Sequence, residues 1–344
     1  MSFVWTFIIA LLVATIATPI SMILGHRWGA IAIPGGRHVH KRPIPRIGGL
    51  AIYFGFWVAV IFTQKWNSSI LGLFIGSTII VLVGLWDDIK DMRPLTKLFW
   101  QIFAASLFVV FGADSSIDKI SLPFFETVNL GWFGIVFAVF WIIGLVNTVN
   151  ISDGLDGLAA GICFMAAILL FWSALRINQF PAAHLTIALA GACLAFLFFN
   201  FHPAKVFMGD TGSMFLGYII GGISIMGLLK TATILGLVFP LIVLGMPLTD
   251  LTFAIIRRKL RGHSIASADR GHLHHRLLDA GLSQRQAVLL LYAMSACFGF
   301  AAVLGAIGSW IWAAVLLIAD FALLVTIMMR RTSLLTAMSR KHSK

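Results

Sequence analysis

Four short stretches hold most of the side chains that could do chemistry. The first is Asn147-Thr148-Val149-Asn150-Ile151-Ser152-Asp153-Gly154-Leu155-Asp156-Gly157. It separates two apolar runs, Trp132 to Val146 and Leu158 to Trp172, so two carboxylates and two carboxamides sit at the mouth of two hydrophobic segments. A central Asp in a membrane helix costs about 2.5–3.5 kcal/mol on an insertion scale, so such residues are kept for a task. The glycine after each Asp permits tight turns and close approach of backbone to a ligand. On a continuing helix, Asn150, Asp153 and Asp156 would follow one another a turn apart.

The second stretch, Asp87-Asp88-Ile89-Lys90-Asp91, follows an apolar run ending in Gly84-Leu85-Trp86. If that helix continues, Asp91 neighbours both Asp87 and Asp88. Three acids so close repel unless a cation or a base relieves them, and the dipole at a helix C-terminus disfavours each of them. The plain alternative is a solvated helix end. Lys97 could point back to the same mouth, or could be an interfacial lysine that snorkels.

The third stretch runs from Asn200 to Ser213, with Phe207 and Asp210 in Phe207-Met208-Gly209-Asp210. It reads as a polar loop entering a helix near Ser213, where exposed amides suit phosphate. Asp210 would then meet an anion through a metal, or serve only as a helix cap. Phe207 either packs or offers a stacking face to a flat base. The fourth stretch, Asp269-Arg270-Gly271-His272-Leu273-His274-His275-Arg276, lacks the Cys or Glu that would complete a zinc site. Beside Arg270 and Arg276 its histidines fit an anion clamp, with a basic loop set by topology as the plain alternative. A basic, proline-stiffened loop from Gly35 to Gly49, including Arg46, is an orientation signal or a holder of an anionic lipid head.

The acids carry a separate signal. Of 13 acidic residues Glu126 is the sole Glu, while Asp87, Asp88, Asp91, Asp153, Asp156 and Asp210 all fall at the same ends of apolar runs. An Asp-only set suggests short, hard oxygen ligands for a divalent cation.

The elements that must position these residues are membrane helices. The 344 residues are 60% hydrophobic and 11% charged, with a mean hydropathy of +0.97. A soluble domain carries roughly 25% charged residues. The expected class is therefore all-α and polytopic, in a single domain over 1–344 with a basic tail. Taking roughly 17–25 residues per crossing, about eleven spans are expected near 3–24, 47–64, 69–86, 97–112, 131–149, 158–175, 184–200, 212–229, 232–256, 286–307 and 309–329. The net charge of +12 does not indicate nucleic acid, because 21 of the 25 Lys and Arg fall in one set of short loops. That asymmetry makes the basic side cytoplasmic, with the N-terminus outside and the C-terminus inside. Cys163, Cys193 and Cys297 lie within apolar runs and read as small core residues. Asp250, after a Pro247 that should kink its helix, and Asp320 are intramembrane oddities. A cation-coupled transporter would place its acids near mid-span, as only these two are. A membrane scaffold would not explain the Asp-only cluster.

Taken together the motifs resemble the polyprenyl-phosphate N-acetylhexosamine-1-phosphate transferases, glycosyltransferase family 4. The resemblance runs from Pro43-Ile44-Pro45-Arg46-Ile47-Gly48-Gly49 to His275-Arg276, with four motifs in the family's order. It implies ten or eleven spans and a cytoplasmic active site. It implies that the phosphate of undecaprenyl phosphate attacks the β-phosphorus of a UDP-amino sugar and that UMP leaves. Mg2+ is the implied cofactor, with Mn2+ as a substitute, and a homodimer is common among relatives. By the same resemblance Asp210 and Asn150 lie at the metal. Asp87 or Asp88, more readily Asp87, positions or deprotonates the lipid phosphate, and Lys97 lies near the phosphates. Asn200, Phe207 and Asp156 surround the uracil, and Asn147 and Asp153 belong to the same substrate-binding stretch. His272, His274, His275 and Arg276 hold the pyrophosphate and sugar. The His-Leu-His-His-Arg form and Pro45-Arg46 resemble the WecA/TagO-like branch, which implies UDP-N-acetylglucosamine ahead of other UDP-amino sugars, UDP-muramyl pentapeptide included.

Overall fold

The computed structural model describes residues 2–32, 43–112, 119–120, 128–228, 244–260 and 273–341. It divides into two compact units, Met1–Leu241 and Ile242–Lys344.

The first unit opens with α1 (Phe3–Trp28), which stops at Gly29 in a left-handed conformation, φ 73°. The two-residue strands β1 (Ile31–Ala32) and β2 (Ile44–Pro45) then pair antiparallel, Ile31 opposite Pro45. Next come α2 (Gly49–Thr63) and α3 (Ser68–Lys90), whose start is capped by Asn67 accepting from the Ile70 amide at 2.8 Å. α4 (Pro94–Leu107) begins on proline, which tolerates the first helical turn, and runs on as a π-helical turn to Gly112. A second strand pair, β3 (Lys119–Ile120) with β4 (Val128–Asn129), precedes α5 (Trp132–Ser152). α6 (Leu158–Arg176), α7 (Phe180–Asn200) and α8 (Gly209–Ile223) follow, and α8 continues as a π-helical turn over Ser224–Leu228.

α8 is the centre of this unit. Every residue from Thr211 to Ile223 is buried, and α3 and α5 are its main neighbours. Lipid tails are as apolar as leucine, so membrane helices associate through close packing and hydrogen bonds. Small residues allow the approach here. A Cβ added at Gly84 of α3 would lie 2.6 Å from Thr211 Cα, and one added at Gly217 of α8 would lie 2.5 Å from the Leu145 carbonyl of α5.

The second unit contains α9 (Gly245–Leu260), the short α10 (Leu273–Asp279), α11 (Gln284–Ala306) and α12 (Trp310–Lys341). Ser283 and Gln286 close a reciprocal capping box on α11.

Ten of the eleven expected spans contain a helix, and the remaining one, 232–256, lies outside the described residues up to 243 and is helical from Gly245 on. Among the described residues eight helices are long and apolar enough to cross a membrane, while α2, α8 and α9 are shorter. Three points along these helices are instructive. α8 starts at Gly209 and not near Ser213, because Asp88 of α3 supplies the acceptors its first amides need. Pro247 falls in the first turn of α9, where a missing amide leaves no helical bond unmade. α12 does not end near 329; its backbone stays helical to Lys341.

Candidate active site

Asp87 and Asp88 close α3 and are 7% and 5% exposed. Successive helical residues point about 100° apart, so adjacent carboxylates serve different neighbours. Asp88 faces α8. Its Oδ1 accepts from the Asp210 amide at 3.0 Å, and its Oδ2 accepts from the Thr211 amide at 2.9 Å and the Thr211 hydroxyl at 2.6 Å. Arg46 Nε lies 3.5 Å from Oδ1. Asp88 therefore holds the N-terminus of α8, and the amides expected to be exposed for phosphate at Asp210 and Thr211 are already engaged. The approach requires glycine at 209, which has φ 65° and where a Cβ would meet the Arg46 carbonyl at 1.9 Å.

Asp87 faces α4. Its Oδ1 accepts from the Met92 amide at 2.7 Å, and its Oδ2 accepts from Lys97 Nζ at 2.9 Å. The same ammonium donates to Asp210 Oδ2. Lys97 is thus no snorkelling lysine: it bridges α3 and the first turn of α8. Asn150, near the end of α5, completes the cluster by donating from Nδ2 to Asp210 Oδ1 at 3.0 Å and to Ser213 Oγ at 2.9 Å. Asp87, Lys97, Asp210 and Asn150 come together at the ends of four helices.

α5 stops at Ser152, so Asp153 and Asp156 do not continue the helical stack that the spacing suggested. Asp153 is half-buried, and no described residue donates a hydrogen bond to it. Burial, and then the field of Asp210, Asp88 and Asp156, push its carboxyl up to about 8. Asp91 leaves α3 with φ 48°. Its exposed carboxylate meets Arg46 Nη2 at 3.4 Å, away from Asp87. The crowding of acids at the end of α3 is thus relieved by two bases, Lys97 and Arg46.

The residues that the resemblance placed around a uracil bond to neighbouring backbone, and Asp156 also to a His202 side chain. Asn200 is 2% exposed; its Oδ1 accepts from the Gly157 amide at 3.0 Å and its Nδ2 donates to the Val206 carbonyl at 2.8 Å. Asp156 Oδ2 bonds His202 Nδ1 at 2.7 Å and accepts from the Ala204 amide at 3.1 Å. Phe207 is half-buried, its amide donating to the Pro45 carbonyl at 2.8 Å and its carbonyl accepting from the Gly48 amide at 2.9 Å. Asn200 and Asp156 therefore lock the Asp153–Gly157 turn to the 201–206 loop. Asn147 donates to Gln101 Oε1 at 2.9 Å and to the Ile143 carbonyl at 2.8 Å.

His272 lies outside the described residues. In the second unit His274, His275 and Arg276 occupy α10; His274 is buried and its ring lies 4.3 Å from that of His275. Asp250 accepts from the Leu273 amide at 2.8 Å, which gives this buried acid a structural task at the start of α10. Asp320 is 6% exposed, and its Oδ2 has no hydrogen-bond partner among the described residues.

Sequence reasoning missed Gln101 and His202. Gln101 had a signal, an amide inside the apolar span 97–112. Among the described residues no three of Asp, Glu, His and Cys gather closely enough to enclose an ion by themselves. The two residues expected at the metal, Asp210 and Asn150, are in contact and can offer a carboxylate and a carboxamide oxygen, with the Asp153 carboxylate three residues after Asn150. Oxygen donors of this kind fit a hard cation that keeps waters and takes phosphate oxygens, as Mg2+ does.

The chain is similar to known proteins over most of its length. Residues 70–228 match the family described as glycosyl transferase family 4. A probable undecaprenyl-phosphate N-acetylglucosaminyl 1-phosphate transferase of Bacillus subtilis is 40% identical over 299 residues, 86% of this chain and 83% of that protein. A decaprenyl-phosphate N-acetylglucosaminephosphotransferase of Mycobacterium leprae is 36% identical over 322 residues, 85% of this chain and 81% of that protein. A phospho-N-acetylmuramoyl-pentapeptide-transferase of a Thermoanaerobacter species is 32% identical over 271 residues, 75% of this chain and 83% of that protein. With its multi-helix membrane fold and these relatives covering most of its length, the chain belongs to glycosyl transferase family 4, among the polyprenyl-phosphate hexosamine-1-phosphate transferases.

Proposed function

We propose that this protein transfers N-acetylglucosamine 1-phosphate from UDP-N-acetylglucosamine to undecaprenyl phosphate at the cytoplasmic face of the bacterial inner membrane. An oxygen of the lipid phosphate attacks the β-phosphorus, the bond from that phosphorus to the bridging oxygen breaks, and UMP leaves with that oxygen. The observation that carries the reading is the Asp87–Lys97–Asp210–Asn150 cluster at the ends of apolar helices. A lipid tail can stay in the bilayer there while its head meets a soluble nucleotide.

The chain's own groups divide the work. Lys97 supplies positive charge where two phosphates must approach. Asp87 orients the lipid phosphate or takes its proton; the engagement of both Asp88 oxygens with α8 supports Asp87 over Asp88 in that role. Asp210, the Asn150 carboxamide oxygen and Asp153 would hold Mg2+, with Mn2+ as a substitute. When bound, the ion neutralises the diphosphate and the departing UMP, the usual need in phosphoryl transfer. His272, His274, His275 and Arg276 are the groups on this chain suited to further phosphate and sugar contacts. The greater identity to the two N-acetylglucosamine enzymes than to the muramoyl-pentapeptide enzyme supports the choice of sugar.

The test is UMP release by detergent-purified protein with undecaprenyl phosphate, Mg2+ and a panel of UDP-sugars. Release with UDP-N-acetylglucosamine, abolished by chelator and by Asp210→Asn, is the expected result. Release only with the muramyl-pentapeptide nucleotide would move the protein to that branch.

A further inference from the structure

Below the charged cluster the contacts between α4 and α8 repeat. Lys97 of α4 meets Asp210 of α8. Four residues on in each helix, Gln101 Nε2 donates to Met214 Sδ at 3.4 Å. One further turn along, the Tyr218 hydroxyl donates to the Ala104 carbonyl at 3.0 Å. The steps are therefore one turn apart, about 6 Å at the usual rise of an α-helix. The middle rung also reaches α5. Gln101 Oε1 accepts from Asn147 Nδ2 at 2.9 Å, and Asn147 lies three residues before Asn150, the α5 partner of Asp210.

The three helices that meet through side-chain charge and amide at the site thus meet again, through one carboxamide, a turn deeper. Gln101 is 2% exposed. An unsatisfied amide at that depth is costly, so the bonds to α5 and α8 fix where the three backbones sit. The cluster above has no such latitude, because Lys97 must reach Asp87 and Asp210 together.

We infer that Gln101 is a positioning residue for the transfer reaction, holding α4 and α5 against α8 so that Lys97 and Asn150 engage Asp210. It does not touch substrate; it acts through Asn147 and the helix spacing. This inference rests on the proposed transferase reading.

The experiment is a double-mutant cycle on the full-length protein. Gln101→Met keeps length and apolar volume while removing both hydrogen bonds, and Asn147→Ala removes the α5 partner. UMP release is measured at saturating and limiting UDP-N-acetylglucosamine for wild type, both single variants and the pair. The expected result is a roughly tenfold fall in kcat for Gln101→Met with KM within about twofold, a size in keeping with misplaced catalytic groups. The pair should be no slower than the slower single variant, since the two changes break one link. Multiplying effects, or a Gln101→Met enzyme with wild-type kcat, would overturn the inference. A merely structural glutamine would lower the unfolding midpoint without this split between kcat and KM. If wild type releases no UMP with any UDP-amino sugar, the transferase reading fails on its own. The same cycle is then read in unfolding midpoints, where additive shifts would overturn the Gln101–Asn147 link itself.

Discussion

Asp87 and Asp88 are adjacent, chemically identical and both buried, yet they sit in different electrostatic worlds. Asp88 spends both oxygens on the amides and hydroxyl that begin α8. Asp87 shares the Lys97 ammonium with Asp210 and accepts one backbone amide. The same contrast separates larger regions. At the helix ends Asp87, Lys97, Asp210 and Asn150 bond mainly to one another. At the end of α7, by contrast, Asn200 bonds only to backbone and holds the chain in shape. A polar residue committed to backbone builds the site, whereas one paired with another titratable group can exchange that partner for a substrate or an ion.

The largest expected effect comes from breaking the shared ammonium. Lys97→Ala should lower UMP release at least a thousandfold, a loss of about 4 kcal/mol in transition-state stabilisation. Its unfolding midpoint should shift little, because the site is partly solvated. Removing Asp88 should do the reverse in part. Asp88→Ala leaves the first amides of α8 unsatisfied and should cost about 2–4 kcal/mol of stability, read as a clear drop in midpoint. Asn200→Ala should follow, with a loss of about 1–3 kcal/mol and a raised KM as the two loops separate. A midpoint unchanged in either variant would blur the distinction between the regions.

Asp153 gives a pH signature. Its carboxyl titrates at about 8 in the folded protein against an ordinary 3.8. Between those values the native state holds a proton that the unfolded state has lost, so this group's contribution to stability falls as pH rises towards 8. In chelator, the midpoint should decline from pH 6 to 8.5, and Asp153→Asn should flatten the decline. A divalent cation should flatten it too, by stabilising the ionised form. The smallest effect belongs to Asp91, whose pairing with Arg46 is exposed. Asp91→Ala should change stability by no more than about 0.5 kcal/mol and leave activity intact.

The helices were legible because a membrane demands long apolar runs, and the described part of each expected span holds one. The grouping of Asp87, Lys97, Asn150 and Asp210 was legible through the family resemblance, since the residues alone left a snorkelling lysine and a helix cap open. The division of labour between Asp87 and Asp88 was not, because it depends on α8 meeting one of them. The bonds that Asn200 and Asp156 make within the chain were hidden for a similar reason. Their partners are backbone amides and carbonyls that any sequence supplies, so nothing in the residue types marks the bond. Gln101 is the opposite case: an amide in an apolar span was a visible signal, but its partners Asn147 and Met214 lie on other helices.

The most direct measurement follows the β-phosphorus. UDP-N-acetylglucosamine labelled in the β-phosphate and in the sugar is incubated with undecaprenyl phosphate and the purified protein, and the lipid extract is counted for both labels. The account requires both labels in the lipid in equal amounts, unlabelled UMP in the aqueous phase, and neither label in the lipid with Asp210→Asn. Sugar label alone in the lipid, with the β-phosphate left in UDP, would contradict it.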